Sequence, residues 1–368
     1  MDLVIAGIIC SVLALIAKRI SFPAIPAYII VGILLGSSGL GVIRGDEVSR
    51  SIAEIGVIFL LFYIGLHINP KEISEKRRTI VSAGIYDFVV NFSLTFIFAM
   101  LAGFSFQQSF LLASAIYISS SAIVIQSLIE NRKLIMREAE TVVWIMVFED
   151  IVIAILIILN SLDPSTLLLF AVKLSVFTAA IYILSNYTPK YAAGVFSRDD
   201  EVPALLAFSL AMLGLAFEEF FHIPAAYAAL MLGMMLSGIR RVEEIILPFK
   251  DVFLILFFFF FGVTAEISGE AVTLGIILSA LAIVGKVTSG IITGMRVFGS
   301  WKSGIEIGID TIARGEFSVF LAFAFGDERI VSAITTAVLI TSVTGAIMSK
   351  HSFAIAEKLE KIVERRGQ

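Results

Sequence analysis

The chain has 368 residues, 58% of them hydrophobic and 16% charged, and 27 Lys and Arg against 31 Asp and Glu leave a formal charge of −4. A soluble domain carries roughly a quarter charged residues, so this composition, with a mean hydropathy of +0.99, predicts an all-α protein that crosses a membrane many times. A disulfide scaffold is excluded because Cys10 is the only cysteine, and no basic stripe interleaved with aromatic residues points to nucleic acid.

The first run, "DLVIAGIICSVLALIA", begins with an acid and is followed by Lys18 and Arg19. A secretory signal has the opposite polarity, so a retained first helix over 2–17 is predicted. Further apolar runs, separated by charge or Gly/Pro clusters, predict helices over 24–42, 51–67, 79–103, 107–129, 138–160 and 165–187. The series continues over 202–218, 222–239, 248–266, 271–296, 303–326 and 328–350, giving thirteen spans. A helical bundle is required because hydrocarbon offers no partner to open backbone groups, and no long alternating runs suggest a barrel. With the N-terminus outside, 21 of the 27 basic residues fall on inner loops and the tail. Only Arg44, Arg50 and Arg329 fall outside, and Lys173, Lys286 and Arg314 lie within spans. That asymmetry predicts an outside N-terminus and a cytoplasmic C-terminus, and the expected location is the plasma membrane of a prokaryote.

"PAIPAYIIVGILL" from Pro23 and "PAAYAALMLGMML" from Pro224 align without gaps at an offset of 201. The two segments lie seven spans apart, so the copies face opposite ways, as in an inverted-topology repeat. The expected organisation is a first repeat over 1–160, a linker helix within 161–201, a second repeat over 202–350 and a cytoplasmic tail over 351–368. GxxxG patterns at Gly32/Gly36, Gly290/Gly294 and Gly304/Gly308 predict close helix packing.

Charge inside these spans is the candidate chemistry. Glu149 and Asp150 stand at the middle of span 138–160. An ionised acid there costs several kcal/mol without a partner or a watered cavity. Neighbouring helical residues point about 100° apart, so the two acids meet different surroundings. Lys286, near the middle of span 271–296, is the expected partner of one of them. Two spans look interrupted: one at Ser119, Ser120 and Ser121, the other at "DTIARGEF" with Asp310, Arg314 and Glu316. By the repeat the breaks face one another, and Asp310, Arg314 and Glu316 are placed to offset the freed helix dipoles. A carboxylate among hydroxyls and freed carbonyls suits a hard cation, with the Ser119–Ser121 region as the expected source of hydroxyl or carbonyl ligands. The same carboxylate takes a proton, and competition for one site gives cation/proton exchange without a cofactor. Neither HExxH, GxSxG nor a P-loop is present, which argues against an enzyme. A cation channel and a carrier for organic anions are the alternatives, the second made electrostatically poor by Glu149 and Asp150.

Seven features in this order resemble the monovalent cation/proton antiporters of the Kef and NapA type over essentially the whole chain. They are "FPAIPAYIIVGILLG", "GVIFLLFYIGLHINP", "SSSAIVIQ", "VFEDIVI", "FFFFFGVTAEI", Lys286 and "ARGEFSVFLA". The resemblance implies a homodimer with a dimerisation part and a moving core, in which two unwound helices cross. It implies that Asp150 carries cation and proton in turn and that Glu149 and Lys286 form a switchable pair. Two departures stand out: Glu149 sits where relatives more often have Asp or Gln, and His67 where they often have an acid. Kef-type chains often continue into a soluble nucleotide-binding domain, so a regulatory domain or subunit is a further expected partner. Na⁺/H⁺ exchange is the leading reading, with K⁺/H⁺ exchange second and Li⁺ a further candidate substrate.

Overall fold

Glycine, proline and polar clusters mark where the apolar runs of this chain become separate helices. The computed structural model describes residues 2–19, 24–36, 38–43, 47–67, 70–133, 135–161, 167–185, 187–264 and 269–366. Their helices are α1 (Asp2–Arg19), α2 (Ala24–Leu35), α3 (Glu47–His67), α4 (Pro70–Leu101), α5 (Phe106–Tyr117), α6 (Ser121–Glu130), α7 (Arg137–Ser161) and α8 (Leu167–Ser185). They continue as α9 (Thr188–Phe196), α10 (Val202–Phe221), α11 (Ala225–Met235), α12 (Arg240–Thr264), α13 (Gly269–Phe298), α14 (Trp301–Asp310), α15 (Glu316–Phe325) and α16 (Glu328–Arg366). No strand occurs among the described residues. Val81–Leu101, Val202–Phe221, Arg240–Thr264, Gly269–Phe298 and Glu328–Glu360 are long and apolar enough to cross a membrane.

Every predicted helix is present, and the differences have local causes. The runs predicted over 107–129 and 303–326 are each two helices, α5 with α6 and α14 with α15. α2 stops at Leu35, short of the predicted 42, because the glycine-rich turn after it closes on the helix end. There Gly36 N–H donates to Gly32 O at 2.8 Å, Leu40 N–H donates to Leu34 O at 2.8 Å, and Gly41 takes a φ of 63° that few other residues adopt. α9 was not expected, and Pro189 in its first turn opens it within a predicted loop. α16 continues sixteen residues beyond the predicted end at 350, since "AEKLEKIVERR" is rich in strong helix formers. Pro23, one anchor of the internal sequence match, lies outside the described residues.

The chain forms two units, each drawing on both halves of the sequence. One comprises Met1–Cys10, Ile43–Glu75 and Ala154–Phe261, and the other Ser11–Val42, Lys76–Ile153 and Gly262–Gln368. In the first, α3 packs closely on α11. A methyl group on Gly65 would meet Leu230 O at 2.1 Å, and one on Gly233 would meet Phe62 O at 2.0 Å. In the second, the GxxxG patterns of α13 and α14 mate with each other. A Cβ on Gly290 would lie 2.5 Å from Gly304 O, and one on Gly304 would lie 2.5 Å from Ile291 Cα. Backbones this close gain dispersion along their length, which replaces the hydrophobic drive that lipid removes.

Gly304→Val should therefore force α13 and α14 apart, at a cost of about 1–3 kcal/mol or more. Thermal unfolding in detergent should show a clear fall for this variant. Gly194→Ala, on a helix position with open space around it, should unfold like the parent.

Candidate cation site

The breaks in the two discontinuous helices are built from residues that leave a helix readily or stabilise its ends. α5 ends at Tyr117, and Ile118 turns to extended backbone with φ −78° and ψ 130°. Gly315 opens α15, and a Cβ there would fall 2.4 Å from the Ser120 hydroxyl, so only glycine fits against that side chain. The breaks meet directly. Ser120 N–H donates to Ala313 O at 2.7 Å, and the Ser119 hydroxyl reaches Thr311 O at 3.0 Å. Arg314 is fully buried and spends Nε and one terminal nitrogen on freed carbonyls, while its other terminal nitrogen makes no hydrogen bond. Nε donates to Ile116 O at 2.6 Å, and one terminal nitrogen donates to Thr311 O at 3.0 Å and Ile312 O at 2.9 Å. One guanidinium thus holds the C-terminal ends of α5 and α14 together, where positive charge offsets the dipole. Glu316 lies in the first turn of α15, where negative charge is favoured, and accepts from the Ser120 hydroxyl at 2.7 Å.

Glu149 and Asp150 part as the helical turn requires. Glu149 is 1% exposed and ion-pairs with Lys286, which is fully buried. Its carboxylate also accepts from Ser119 N–H at 2.7 Å and the Ser119 hydroxyl at 3.0 Å. Asp150 is half-buried, and among the described residues no basic side chain pairs with it. The Ser121 hydroxyl hydrogen-bonds its carboxylate, and Glu149 and Glu316 add negative charge nearby. The three serines therefore serve three acids: Ser119 serves Glu149, Ser120 serves Glu316, and Ser121 serves Asp150.

Two charged partners escape a reading based on the paired acids alone. Lys286 Nζ lies 2.6 Å from Asp87 Oδ2, so two buried carboxylates share one ammonium. Asp87 also accepts from Ser289 at 2.8 Å and from Asn91 at 3.0 Å. A lone acid inside "SAGIYDFVVNF" was a usable signal, of the same kind that singled out Glu149 and Asp150. Lys133, expected on an inner loop, is 6% exposed and pairs with Asp310 at 2.8 Å. It donates further to Ser349 O at 2.5 Å and the Ser352 hydroxyl at 2.6 Å. Asp310 is the last residue of α14, where a negative charge gains nothing from the dipole, so Lys133 supplies its compensation. Sequence distance hid this pair, since 177 residues separate its members.

An all-helical membrane bundle with two abutting helix breaks and a buried acid–lysine cluster has the makings of an ion-coupled transporter. Residues 5–350 match the family model described as sodium/hydrogen exchanger, transmembrane; the chain belongs to this family and is a cation/proton antiporter, not an enzyme. It is 30% identical to the K⁺/H⁺ antiporter subunit KhtU of Bacillus subtilis, over 97% of this chain and 94% of that protein. It is 24% identical to the ammonium/H⁺ antiporter subunit AmhT of Alkalihalophilus pseudofirmus, over 97% and 95%. Against the glutathione-regulated potassium-efflux protein KefC of Escherichia coli it is 27% identical, over 68% of this chain and 43% of the relative. The fold matches the sodium proton antiporter MjNhaP1 of Methanocaldococcus jannaschii with a TM-score of 0.74 and 17% identity, covering 98% of this chain and 99% of the other.

Lys133→Met should leave Asp310 buried without its countercharge and cost about 3–5 kcal/mol of stability. Restoring neutrality with Asp310→Leu in the same chain should recover much of the loss. Thermal unfolding of the purified single and double variants measures both.

Proposed function

We propose that the protein exchanges Na⁺ for H⁺ by alternating access, with Asp150 as the group that cation and proton occupy in turn. The observation that carries this reading is the contrast between adjacent acids. Glu149 is consumed by Lys286 and Ser119, whereas Asp150 is half-buried, has no basic partner among the described residues and sits beside the Ser121 hydroxyl. A carboxylate without a resident countercharge, among negative neighbours at a helix break, attracts a cation or a proton and holds neither permanently. Ser121 is its proposed hydroxyl ligand, and Ser119 and Ser120 position the surrounding acids. Glu149 and Lys286 form a pair whose contact changes during transport, while Asp310, Arg314 and Glu316 keep the breaks in register. The site competes for its two ions at one carboxylate, so exchange needs no separate proton wire.

The repeat detected in the sequence supports alternating access, with 1–160 and 202–350 as its copies, 161–201 as the linker and 351–368 as a cytoplasmic tail. The basic-residue asymmetry supports an outside N-terminus and a plasma-membrane location. The chain works as a homodimer. A further regulatory subunit is supported by relatives named as antiporter subunits. K⁺/H⁺ exchange is the second reading, favoured by the sequence relatives whose names carry K⁺ or potassium.

Proteoliposomes with an imposed pH gradient test both. Addition of Na⁺ should dissipate the gradient, and comparison with Li⁺ and K⁺ ranks the ions. Cation flux without any change in the gradient would replace exchange with a channel. Asp150→Asn should reduce exchange to the level of protein-free vesicles, and full exchange by that variant would remove Asp150 as the carrier.

A further inference from the structure

α14 carries a polar stripe toward the breaks. Ser303, Glu306 and Asp310 stand at i, i+3 and i+7 and therefore share one face of the helix. The two ends of the stripe are satisfied. Ser303 donates to Glu138 Oε1 at 2.8 Å, in the first turn of α7, and Asp310 is held by Lys133 and Ser349. Glu306, between them, is different. It is 5% exposed, and among the described residues no donor or basic group makes a hydrogen bond or ion pair with its carboxylate. Its charged surroundings are Glu138 and Asp310, both of like sign, with Lys133 and Lys302 opposing. Neither lysine is free to serve it. Lys133 is spent on Asp310, Ser349 and Ser352, while Lys302 turns to Glu360 at 3.5 Å and lies over the Phe353 ring at 4.7 Å.

A carboxylate this buried, with no donor against it, is stabilised by taking up a cation or a proton. The ligand that fits is set by the oxygens at hand: two carboxylates and a hydroxyl from α7 and α14, with net negative charge. Hard monovalent cations take such oxygen ligands. We infer that Glu306, with Glu138 and the Ser303 hydroxyl, forms a second cation site, a weak waiting site for the transported monovalent ion. Its position gives it a use. Five residues, or about 7.5 Å of helical rise, separate Glu306 from Thr311, whose carbonyl already touches Ser119 in the break. The stripe therefore runs from the start of α14 at Trp301 toward the break, with Glu138 on α7, the helix that also carries Asp150. As a step toward Asp150 the inference rests on the proposed role of that acid; as a binding site it does not.

The test uses the full chain reconstituted in liposomes, with Na⁺ and, in parallel, K⁺ presented to one membrane face at a time. Glu306→Gln should raise the half-saturating cation concentration at least about threefold on one face only, with the saturating rate kept. Glu306→Asp should fall nearer the parent, and Glu138→Gln should move in the same direction as Glu306→Gln. The gap should narrow as choline chloride is added, because an electrostatic attraction is screened. Unchanged half-saturation on both faces overturns the inference. So does a fall in saturating rate without a change in half-saturation, which is the mark of a structural residue. A second readout avoids turnover: sodium NMR line broadening on purified Asp150→Asn should report residual weak binding that the added Glu306→Gln removes. No residual binding in Asp150→Asn overturns the inference. Transport retained by Asp150→Asn would instead overturn the carrier assignment and leave the Glu306 measurements standing.

Discussion

The fold depends on closing two interrupted helices against each other inside an apolar medium. A break in a helix frees carbonyls at one end and N–H groups at the other, and hydrocarbon cannot satisfy either. Here each break completes the other: Arg314 bridges the carbonyl ends of α5 and α14, Ser120 N–H takes Ala313 O, and Ser318 takes Ala115 O at 2.6 Å. The two interruptions thus engage each other, one terminal nitrogen of Arg314 excepted, and leave a place where side-chain oxygens converge. The charges follow from this arrangement. Lys286 holds Glu149 next to Ser119, at the edge of one break, and the turn of α7 then delivers Asp150 to Ser121.

Packing holds these groups in register. The GxxxG faces of α13 and α14 bring Gly308 against the Lys286 backbone, where a Cβ would lie 2.6 Å from Lys286 O. The lysine that holds Glu149 is therefore mounted on a helix pair whose backbones approach closely along several turns. A buried ion pair adds little net stability because of desolvation, so this rigid mounting serves geometry more than free energy.

Much of the fold was legible because hydrophobic runs and their punctuation are local signals. "GSSG" and "YISSS" mark where helices stop, and the apolar stretches between them have the lengths that spans require. The extents of α4 and α16 were not, since polar helix formers carry a helix past the apolar stretch that announces it, and α9 is a short helix opened by Pro189 within a predicted loop. At the site, Glu149, Asp150, Lys286 and Arg314 could be read because charge in an apolar run is conspicuous. The partners were harder. Lys133 sits in "ENRKLIMRE", where the pattern reads as a solvated loop, and only the fold brings it beneath α16 to Asp310. Asp87 differs, since its signal was present in a lone acid among apolar residues and simply competed with a more obvious pair. The serines also divided in a way spacing does not predict, because the break sends three consecutive hydroxyls in three directions.

α16 has a mechanical consequence. It runs without interruption from Glu328 to Arg366, about 58 Å at the usual rise. Ser349 and Ser352, which clasp Lys133 and Asp310, lie along that rod rather than on a loop. A continuous helix is stiffer than a coil, so its distal turns and those two serines belong to one hydrogen-bonded element. Its last turns are thus continuous with the clasp on the Lys133–Asp310 pair at the C-terminal end of α14.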